Sequence, residues 1–154
     1  MRAVVQRVKW ARCIVDGKVV GECGTGLMVL VAAHRNDTAT EVRKVADRTY
    51  GLRIFDDADG KLNLNLATVT EGADGPNMLV ISQFTLYGDV WASRRPGFTE
   101  SAKFDEGKAL FESYVDELVK LGARVQTGVF GASMQIELLN DGPVTIVIDA
   151  NANA

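Results

Sequence analysis

Residues 27–33 form an uninterrupted apolar run, Leu-Met-Val-Leu-Val-Ala-Ala, and this run constrains the fold more than any other stretch of the chain. A short run of this kind that lies among turn residues predicts a strand rather than a helix. Because it contains no polar side chain, we predict that the strand is buried on both faces. Residues 78–81, Met-Leu-Val-Ile, form a second buried strand.

Most of the remaining patterned segments are also predicted to be strands. Asp16-Gly17 is a strong signal for a hairpin turn, and it joins residues 11–15 to residues 18–22. The other predicted strands are residues 2–8, 53–55, 61–66, 125–127, 134–139 and 144–149, and residues 68–77 and 90–101 are predicted to be loops.

Two predicted helices interrupt the strands. Thr38 and Glu41 have the spacing of a capping box, which opens a helix that ends near Tyr50. The second helix covers residues 105–121, and Gly122 ends it. The predicted inner stripes are Val42, Val45, Ala46 and Thr49 in the first helix and Leu110, Phe111, Tyr114, Val115, Leu118 and Val119 in the second. Since strands dominate, we predict an α/β protein with two packed sheets and both helices on one outer face.

The chain is predicted to be a single ordered domain. It has 154 residues, 47% of them apolar, which is enough for one hydrophobic core. We assign residues 1–150 to the domain and residues 151–154 to a frayed C-terminal tail. No apolar run approaches the ~20 residues that span a bilayer. Gln6 and Arg7 interrupt the apolar continuity that a signal peptide needs, so we expect a cytoplasmic protein without a membrane partner.

Charge and cysteine content narrow the choice of partners and of redox state. The formal net charge is −3, whereas a protein that holds nucleic acid mainly by neutralising phosphates is usually basic. Any nucleic-acid contact is therefore expected to be local and to end in a pocket. Cys13 and Cys23 are too few for a disulfide scaffold. We expect two reduced thiols, with Cys13 opposite Val20 across the hairpin.

Polar side chains follow the second buried strand without any turn residue, in the sequence Ser-Gln-Phe-Thr-Leu-Tyr at residues 82–87. If the strand continues, residues 82, 84 and 86 lie on one face and residues 83, 85 and 87 on the other. Such a pattern presents hydroxyls and backbone amides at the rim of a pocket, although ordinary polarity at a strand end explains it too. A second polar run, residues 140–145, contains Gly-Pro as a predicted turn between two apolar strands and favours the pocket.

The sequence lacks the residues for the common metal and hydrolytic chemistries. His34 is the only histidine, so we expect neither a zinc site nor a Ser-His-Asp triad. The glycines of residues 21–26 and the acidic residues 56–59 are better explained by turns than by nucleotide or cation sites. An enzyme without such groups relies on hydroxyls and oriented N–H donors, which suits an activated ester. Arg94 and Arg95 are either a clamp for phosphate or carboxylate or part of a solvated loop.

The two polar runs together resemble the signature pair of the D-aminoacyl-tRNA deacylases. They read Ser-Gln-Phe-Thr-Leu at residues 82–86 and Asn-Asp-Gly-Pro-Val-Thr at residues 140–145. Further segments that fall in the family's order are residues 1–8, 52–55, 95–99 and 128–134, so the resemblance covers essentially the full length. The chain departs from the family's pattern at Ala92-Ser93, where a Lys-Gly-like pair is expected, and at residues 101–104, Ser-Ala-Lys-Phe, which lack the usual prolines.

The resemblance implies a fold, an assembly and an activity. The fold is a three-layer β/β/α sandwich of two mixed sheets with two main helices on one face, and the assembly is a homodimer with active sites at the subunit interface. The activity is hydrolysis of the ester that joins a D-amino acid, or glycine, to the terminal adenosine of tRNA. Aminoacyl-tRNA is thus the expected partner, and neither a metal nor an organic cofactor is implied.

The resemblance also implies roles for particular residues. A cis peptide between Gly142 and Pro143 is expected to enter the partner's site, where its two carbonyl oxygens accept from the substrate's α-ammonium and exclude an L side chain. Arg7 is expected to hold this loop, and Phe130 and Met134 to sandwich the terminal adenine. The expected catalytic residues are Thr85, Ser82, Gln83 and Phe84 (through its backbone N–H); those for substrate binding and chiral selection are Gly142, Pro143, Arg7, Asn140, Thr145, Phe130 and Met134; and the candidate tRNA contacts are Arg94 and Arg95.

Two questions stay open at the level of sequence. Thr85 is either a nucleophile, for which the sequence supplies no general base, or a group that positions water with help from the ribose 2′-OH, which we favour. The whole chain is alternatively a non-catalytic dimeric module that binds RNA ends or nucleotides, or a generic small-molecule esterase.

Overall fold

A computed structural model describes residues 1–151 of the chain. Apart from Asn151, the predicted tail lies outside the described residues. The strands are β1 (Arg2–Val15), β2 (Lys18–Cys23), β3 (Gly26–Ala32), β4 (Phe55–Asp56), β5 (Leu62–Leu64), β6 (Met78–Ser82), β7 (Val125–Thr127) and β8 (Gln135–Asp149); the helices are α1 (Ala39–Gly51), α2 (Leu66–Val69) and α3 (Phe104–Leu121), and a 3₁₀ turn covers Phe84–Tyr87. Within residues 1–151, no helix is both long enough and apolar enough to cross a membrane.

β1 organises the main sheet because three other strands pair with it. Its first half is antiparallel to β3, its second half is antiparallel to β2, and β8 runs antiparallel along its other edge. We predicted two strands within β1 and two within β8, and both predictions of a break are wrong. Two register shifts in the β1–β8 ladder absorb residues 9–10 and 141–144 as irregularities, so the strands continue through them.

The sheet is mixed and curls until its edges meet. The hydrogen-bonded order of five strands is β2-β1-β3-β6-β7, and the sixth strand, β8, pairs with β1 outside this order. The β3–β6 and β6–β7 pairs are parallel. The Glu22 backbone N–H of β2 donates to Oε1 of Gln126 in β7 at 2.8 Å. A Cβ on Gly21 would collide with the carbonyl oxygen of Thr127, so only glycine allows this close approach. The result is a nearly closed, barrel-like sheet.

Alternate residues of β3 face two separate hydrophobic clusters. Leu27, Val29 and Val31 pack in a cluster that also contains the apolar stripes of α1 and α3. Met28 faces a smaller cluster on the opposite side of the sheet, inside the curl. The predicted burial of this strand on both faces is therefore confirmed. Each such side chain contributes about 1.5–3 kcal/mol when it is fully buried.

The α/β class is confirmed in a single domain. Six of the strands, however, are hydrogen-bonded into one mixed sheet rather than two, because β1 is shared between β3, β2 and β8. β4 and β5 form a separate two-stranded sheet. The finer description as a three-layer sandwich stays a prediction.

The main helices match the prediction closely. In α1 the capping box of Thr38 and Glu41 is present, and the buried residues are the four that we predicted. α3 ends at Gly122, which has a φ of 114° and so adopts a conformation that favours glycine. Val119 was wrongly assigned to the inner stripe, since it is 53% exposed. The contact face of α3 is narrower than the apolar pattern suggested.

The smaller differences have local causes. β4 lies at Phe55–Asp56 and β5 is confined to Leu62–Leu64, because α2, which we did not predict, begins at Leu66. The side chain of Asn65 caps α2 by accepting from the Thr68 backbone N–H. Cys13 lies opposite Gly21 instead of Val20, because an irregularity between Cys13 and Ile14 shifts the register. Both cysteines are free and buried.

Candidate active site

A cavity of about 390 Å³ opens where β3 and β6 end. The carboxyl ends of parallel strands are a common place for ligand sites in α/β proteins. The cavity lies between the end of β6, the start of α3 and the turn before β8. Its lining residues include five of the predicted site residues, namely Ser82, Gln83, Phe84, Phe130 and Met134.

Residues 83–87 form a turn and not the continuing strand that we predicted. The strand stops at Ser82 because its ladder partners stop there: the β3 pairing ends at Val31–Ser82, and β7 ends earlier. The Gln83 N–H still donates to the carbonyl of Val31 at 2.8 Å, after which the chain enters the 3₁₀ turn. The predicted division of residues 82–87 between two faces is therefore wrong. The first N–H groups of a helical turn have no partner within it, so those of Phe84 and Thr85 are free to donate outward.

Thr85 is exposed beside the cavity rather than in its lining. The Nε2 of Gln83 donates to Oγ1 of Thr85, and within residues 1–151 no carboxylate or imidazole is hydrogen-bonded to that hydroxyl. Phe84 is 57% exposed, and its ring lies edge-on to Phe98 with 5.0 Å between the ring centroids.

Three phenylalanine rings form an aromatic wall of the cavity. Phe130 lies edge-on to Phe104 at 5.1 Å between centroids, and it also packs against Phe111 at 5.8 Å. Met134 reaches over Gly128, where a Cβ would lie 2.5 Å from the Met134 sulfur. Phe130 and Met134 therefore both line the cavity, where they form an apolar slot.

The Gly142 loop, which we define as residues 140–145, lies within β8 and contributes nothing to the cavity lining. The peptide between Gly142 and Pro143 is cis, and Gly142 has a φ of +126°. The prediction of a turn between two strands is corrected, since the loop remains part of the strand. Both Gly142 and Pro143 are exposed.

The buried side chain of Arg7, in β1, hydrogen-bonds to the Gly142 loop. Its side chain is 8% exposed, its Nε donates to the Asp141 carbonyl at 3.0 Å, and its Nη1 donates to the Ile54 carbonyl at 2.9 Å. The Asp56 carboxylate lies 3.3 Å from Nη1 and compensates the charge. The predicted contact between Arg7 and the loop is therefore present.

Asn140 and Thr145 hold the loop rather than line the cavity. Asn140 Nδ2 donates to Thr145 Oγ1 at 3.2 Å, and the Val144 N–H donates to Asn140 Oδ1 at 3.3 Å. These contacts close the loop across its base. Within one chain, the structure does not bring Arg7, Asn140, Gly142, Pro143 or Thr145 to the cavity.

Comparison with known proteins decides the family. A family model described as D-Tyr-tRNA(Tyr) deacylase matches residues 4–149.

The chain belongs to the D-Tyr-tRNA(Tyr) deacylase family.

Curated relatives of the family match over almost their whole length. A D-aminoacyl-tRNA deacylase of Thermotoga petrophila is 48% identical, and the match covers 98% of each chain. A D-aminoacyl-tRNA deacylase of Anaeromyxobacter dehalogenans is 51% identical, with 97% of each chain covered. A solved structure named "c-Myc DNA Unwinding Element Binding Protein" superposes with a TM-score of 0.89 at 31% identity, covering 97% of this chain and 99% of that one.

The charged and titratable residues outside the cavity have structural explanations. Asp57 accepts from the Lys61 and Asp59 backbone N–H groups and from Asn63, and the Lys61 bond in particular lowers the pKa of its carboxyl. Within residues 1–151 no three His, Cys, Asp or Glu side chains lie close enough together to hold a metal ion. Arg94 and Arg95 are exposed on a loop that two hydrogen bonds between Asp89 and Gly97 close.

The sequence did not point to several residues of the cavity wall. Ala102, Lys103 and Phe104 lie at the start of α3 and line the cavity beside Phe130. The only signal was that residues 101–104 depart from the pattern of the family. Because α3 was predicted to begin at residue 105, we did not place Phe104 on it.

Proposed function

We propose that this member of the D-Tyr-tRNA(Tyr) deacylase family hydrolyses the ester between a D-amino acid, or glycine, and the terminal adenosine of tRNA. The observation that carries the proposal is the cavity, whose lining combines Ser82, Gln83 and Phe84 with the slot of Phe130 and Met134. The slot suits a purine ring, and residues 82–84 offer N–H and hydroxyl donors. An ester carbonyl attached to that nucleoside would lie between them.

The chemistry follows from the donors at the end of β6. The free N–H of Phe84 and the hydroxyls of Ser82 and Thr85 stabilise the oxyanion that forms when water attacks the ester carbonyl. Gln83 orients the Thr85 hydroxyl, and the ribose 2′-OH of the substrate assists the attacking water. An aminoacyl ester is already activated, so no strong protein base is needed.

Selection between D and L substrates is assigned to the Gly142 loop of a second copy. Gly142 and Pro143 are exposed and lie outside the cavity of their own chain. Leu139 and Val147, which flank the loop in β8, are 51% and 63% exposed. Apolar strand residues of this kind favour docking of a partner, and a homodimer would carry the loop into the partner's cavity. The loop carbonyls would then accept from the substrate's α-ammonium and leave no space for an L side chain.

The remaining assignments extend this proposal. Arg94 and Arg95 contact the body of the tRNA, since their loop begins next to the 3₁₀ turn and they form no ion pair within residues 1–151. The protein acts in the cytoplasm, where aminoacyl-tRNA is found. The curled sheet with α1 and α3 on one face supports the three-layer description of the fold.

One assay separates the proposed function from its alternatives. The purified protein is incubated with D-tyrosyl-tRNA, L-tyrosyl-tRNA and a simple aryl ester, and free amino acid or alcohol is measured. Release from D-tyrosyl-tRNA alone is the expected result. Release from none of the three favours a nucleic-acid-binding module, in line with the name of the c-Myc DNA unwinding element binding protein. Cleavage of the aryl ester indicates a generic esterase.

A further inference from the structure

Lys103 and Phe104 line the cavity at the start of α3, and the proposed reaction gives neither residue a role. The Phe104 side chain is 61% exposed although it belongs to the cavity lining. Its exposed part offers apolar surface to a ligand at the cavity. Among residues 1–151, Lys103 is the only lysine or arginine that lines the cavity.

The Phe104 ring is held in place from behind. Its edge-on contact with Phe130 has an interplanar angle of 73°. Gly131 has a φ of +80°, and a Cβ there would lie 2.8 Å from Cε2 of Phe104, so the absence of a side chain lets the ring lie against the turn. A ring fixed in this way loses little conformational entropy when a ligand stacks on it.

The Lys103 ammonium is available to a ligand. Within residues 1–151 the lysines that form ion pairs are Lys9 and Lys120. Lys103 uses its backbone carbonyl, which accepts from the Gly107 N–H at 2.7 Å, and its ammonium forms no ion pair. Asp105 and Glu106 follow in the first turn of α3. These carboxylates moderate the local positive charge, so any contribution of Lys103 to binding is small.

We propose that Lys103 and Phe104 form a subsite for the nucleotide that precedes the terminal adenosine: Lys103 binds the phosphate that links the two nucleosides, and Phe104 stacks on the preceding base. The inference rests on the proposed function, because it takes the terminal adenine to occupy the slot of Phe130 and Met134. The 5′-phosphate of that adenosine then leaves through the mouth of the cavity, beside the single lysine. An aromatic platform next to a cation is the usual arrangement for single-stranded nucleic acid.

Three ligands of increasing size dissect this subsite by calorimetric titration: adenosine, adenosine 5′-monophosphate, and the dinucleotide cytidylyl-(3′→5′)-adenosine. For the wild type, we expect binding to strengthen about two- to fivefold when the phosphate is added, as for an exposed ion pair. The preceding cytidine should add at least about fivefold, the lower end of what one stacked base contributes.

Two variants assign each gain to its residue. Lys103→Gln should remove the gain from the phosphate, whereas Lys44→Gln, which changes an exposed lysine of α1, should keep it. Phe104→Leu should remove the gain from the cytidine, and Phe104→Tyr, which keeps the ring, should retain it. Val119→Ala, at another exposed apolar position of α3, should change neither gain.

Several results would overturn the subsite. The wild type would contradict it by failing to bind the dinucleotide or by binding all three ligands equally. Phe104→Leu would contradict it by keeping the full gain in affinity from the cytidine, or by losing affinity for adenosine as strongly as for the dinucleotide. Hydrolysis of D-tyrosyl-tRNA is measured separately. Hydrolysis without the stepwise gains refutes the subsite alone, and stepwise gains without hydrolysis refute the proposed activity.

Discussion

The cavity at the end of β6 and the Gly142 loop differ in how many contacts they make with the rest of their own chain. The cavity presents exposed side chains with few internal partners, such as Phe84 at 57% and Phe104 at 61% exposure. The Gly142 loop is tied at several points, through Arg7 beneath it and through Asn140 across its base. The cavity is open to a ligand, whereas the Gly142 loop is held in place by its own chain.

This contrast teaches how the proposed selectivity would work without a reactive side chain. Under that proposal the Gly142 loop has to keep its position, because a loop that moved would admit an L side chain. A surface that binds a flexible nucleic-acid end needs exposed rings and donors instead. The predictions that follow test each region with a matched control, beginning with the largest expected effect.

Removing the guanidinium under the loop should have the largest effect. Arg7→Ala leaves the carbonyls of Ile54 and Asp141 without their donor, so we expect a loss of about 3 kcal/mol in the free energy of unfolding, together with loss of turnover. The control, Arg12→Ala, removes an exposed pair with Glu137 and a contact with the Trp10 ring, and it should cost about 1 kcal/mol or less. Denaturant titration measures both, and equal stabilities for the two variants would show that Arg7 does not hold the loop.

A methyl group on the loop should affect both stability and turnover. A Cβ on Gly142 would lie 2.9 Å from Val144 Cγ2 and 3.0 Å from Arg7 Nη2. With a φ of +126° as well, the substitution should cost about 1–3 kcal/mol and displace the loop.

The control for this change is Gly24→Ala, because nothing lies within 4 Å of a Cβ at Gly24. Its stability should stay within about 0.5 kcal/mol of the wild type. Unchanged hydrolysis of D-tyrosyl-tRNA by Gly142→Ala would refute the role given to Gly142.

The hydroxyl beside the cavity should matter less. Thr85→Ala removes one donor to the oxyanion, so we expect turnover to fall about ten- to a hundredfold with stability within about 0.5 kcal/mol. Thr85→Ser keeps the hydroxyl and should retain most of the rate. Complete loss of turnover in Thr85→Ala, with substrate binding intact, would instead indicate a covalent route through Thr85.

The smallest effect is expected when a reagent is offered to the two thiols of the folded protein, because both thiols lie in the small cluster inside the curled sheet. Burial raises the pKa of Cys23 to about 11, and burial also raises the pKa of Cys13. The folded state thus favours neutral thiols. The stability that the neutral Cys23 thiol contributes is complete below its ordinary pKa of 9.0, and it is lost as the pH rises from there to about 11. At pH 8, a disulfide reagent should react with the unfolded chain and hardly with the native one; equally fast reaction would show that the curl is open.

Much of the fold could be predicted from local sequence patterns, but only part of the site could be predicted in this way. The apolar runs of β3 and β6 and the capping box of Thr38 are local patterns, so they could be predicted. The turn at residues 83–87 could not, because it depends on where β3 and β7 end and thus on pairing between distant residues. Phe104 was missed for a similar reason, since its place in the wall follows from the packing of α3 against Phe130.

Mixed dimers test the central claim most directly. One copy carries Gly142→Ala, and the other carries Ala102→Trp, which fills the cavity with an indole; the two are co-expressed with different affinity tags and the mixed dimer is isolated. If the loop acts on the partner's cavity, one of the two sites is intact, and the mixed dimer should hydrolyse D-tyrosyl-tRNA at about half the wild-type rate. A mixed dimer as inactive as the two parent variants would contradict the account.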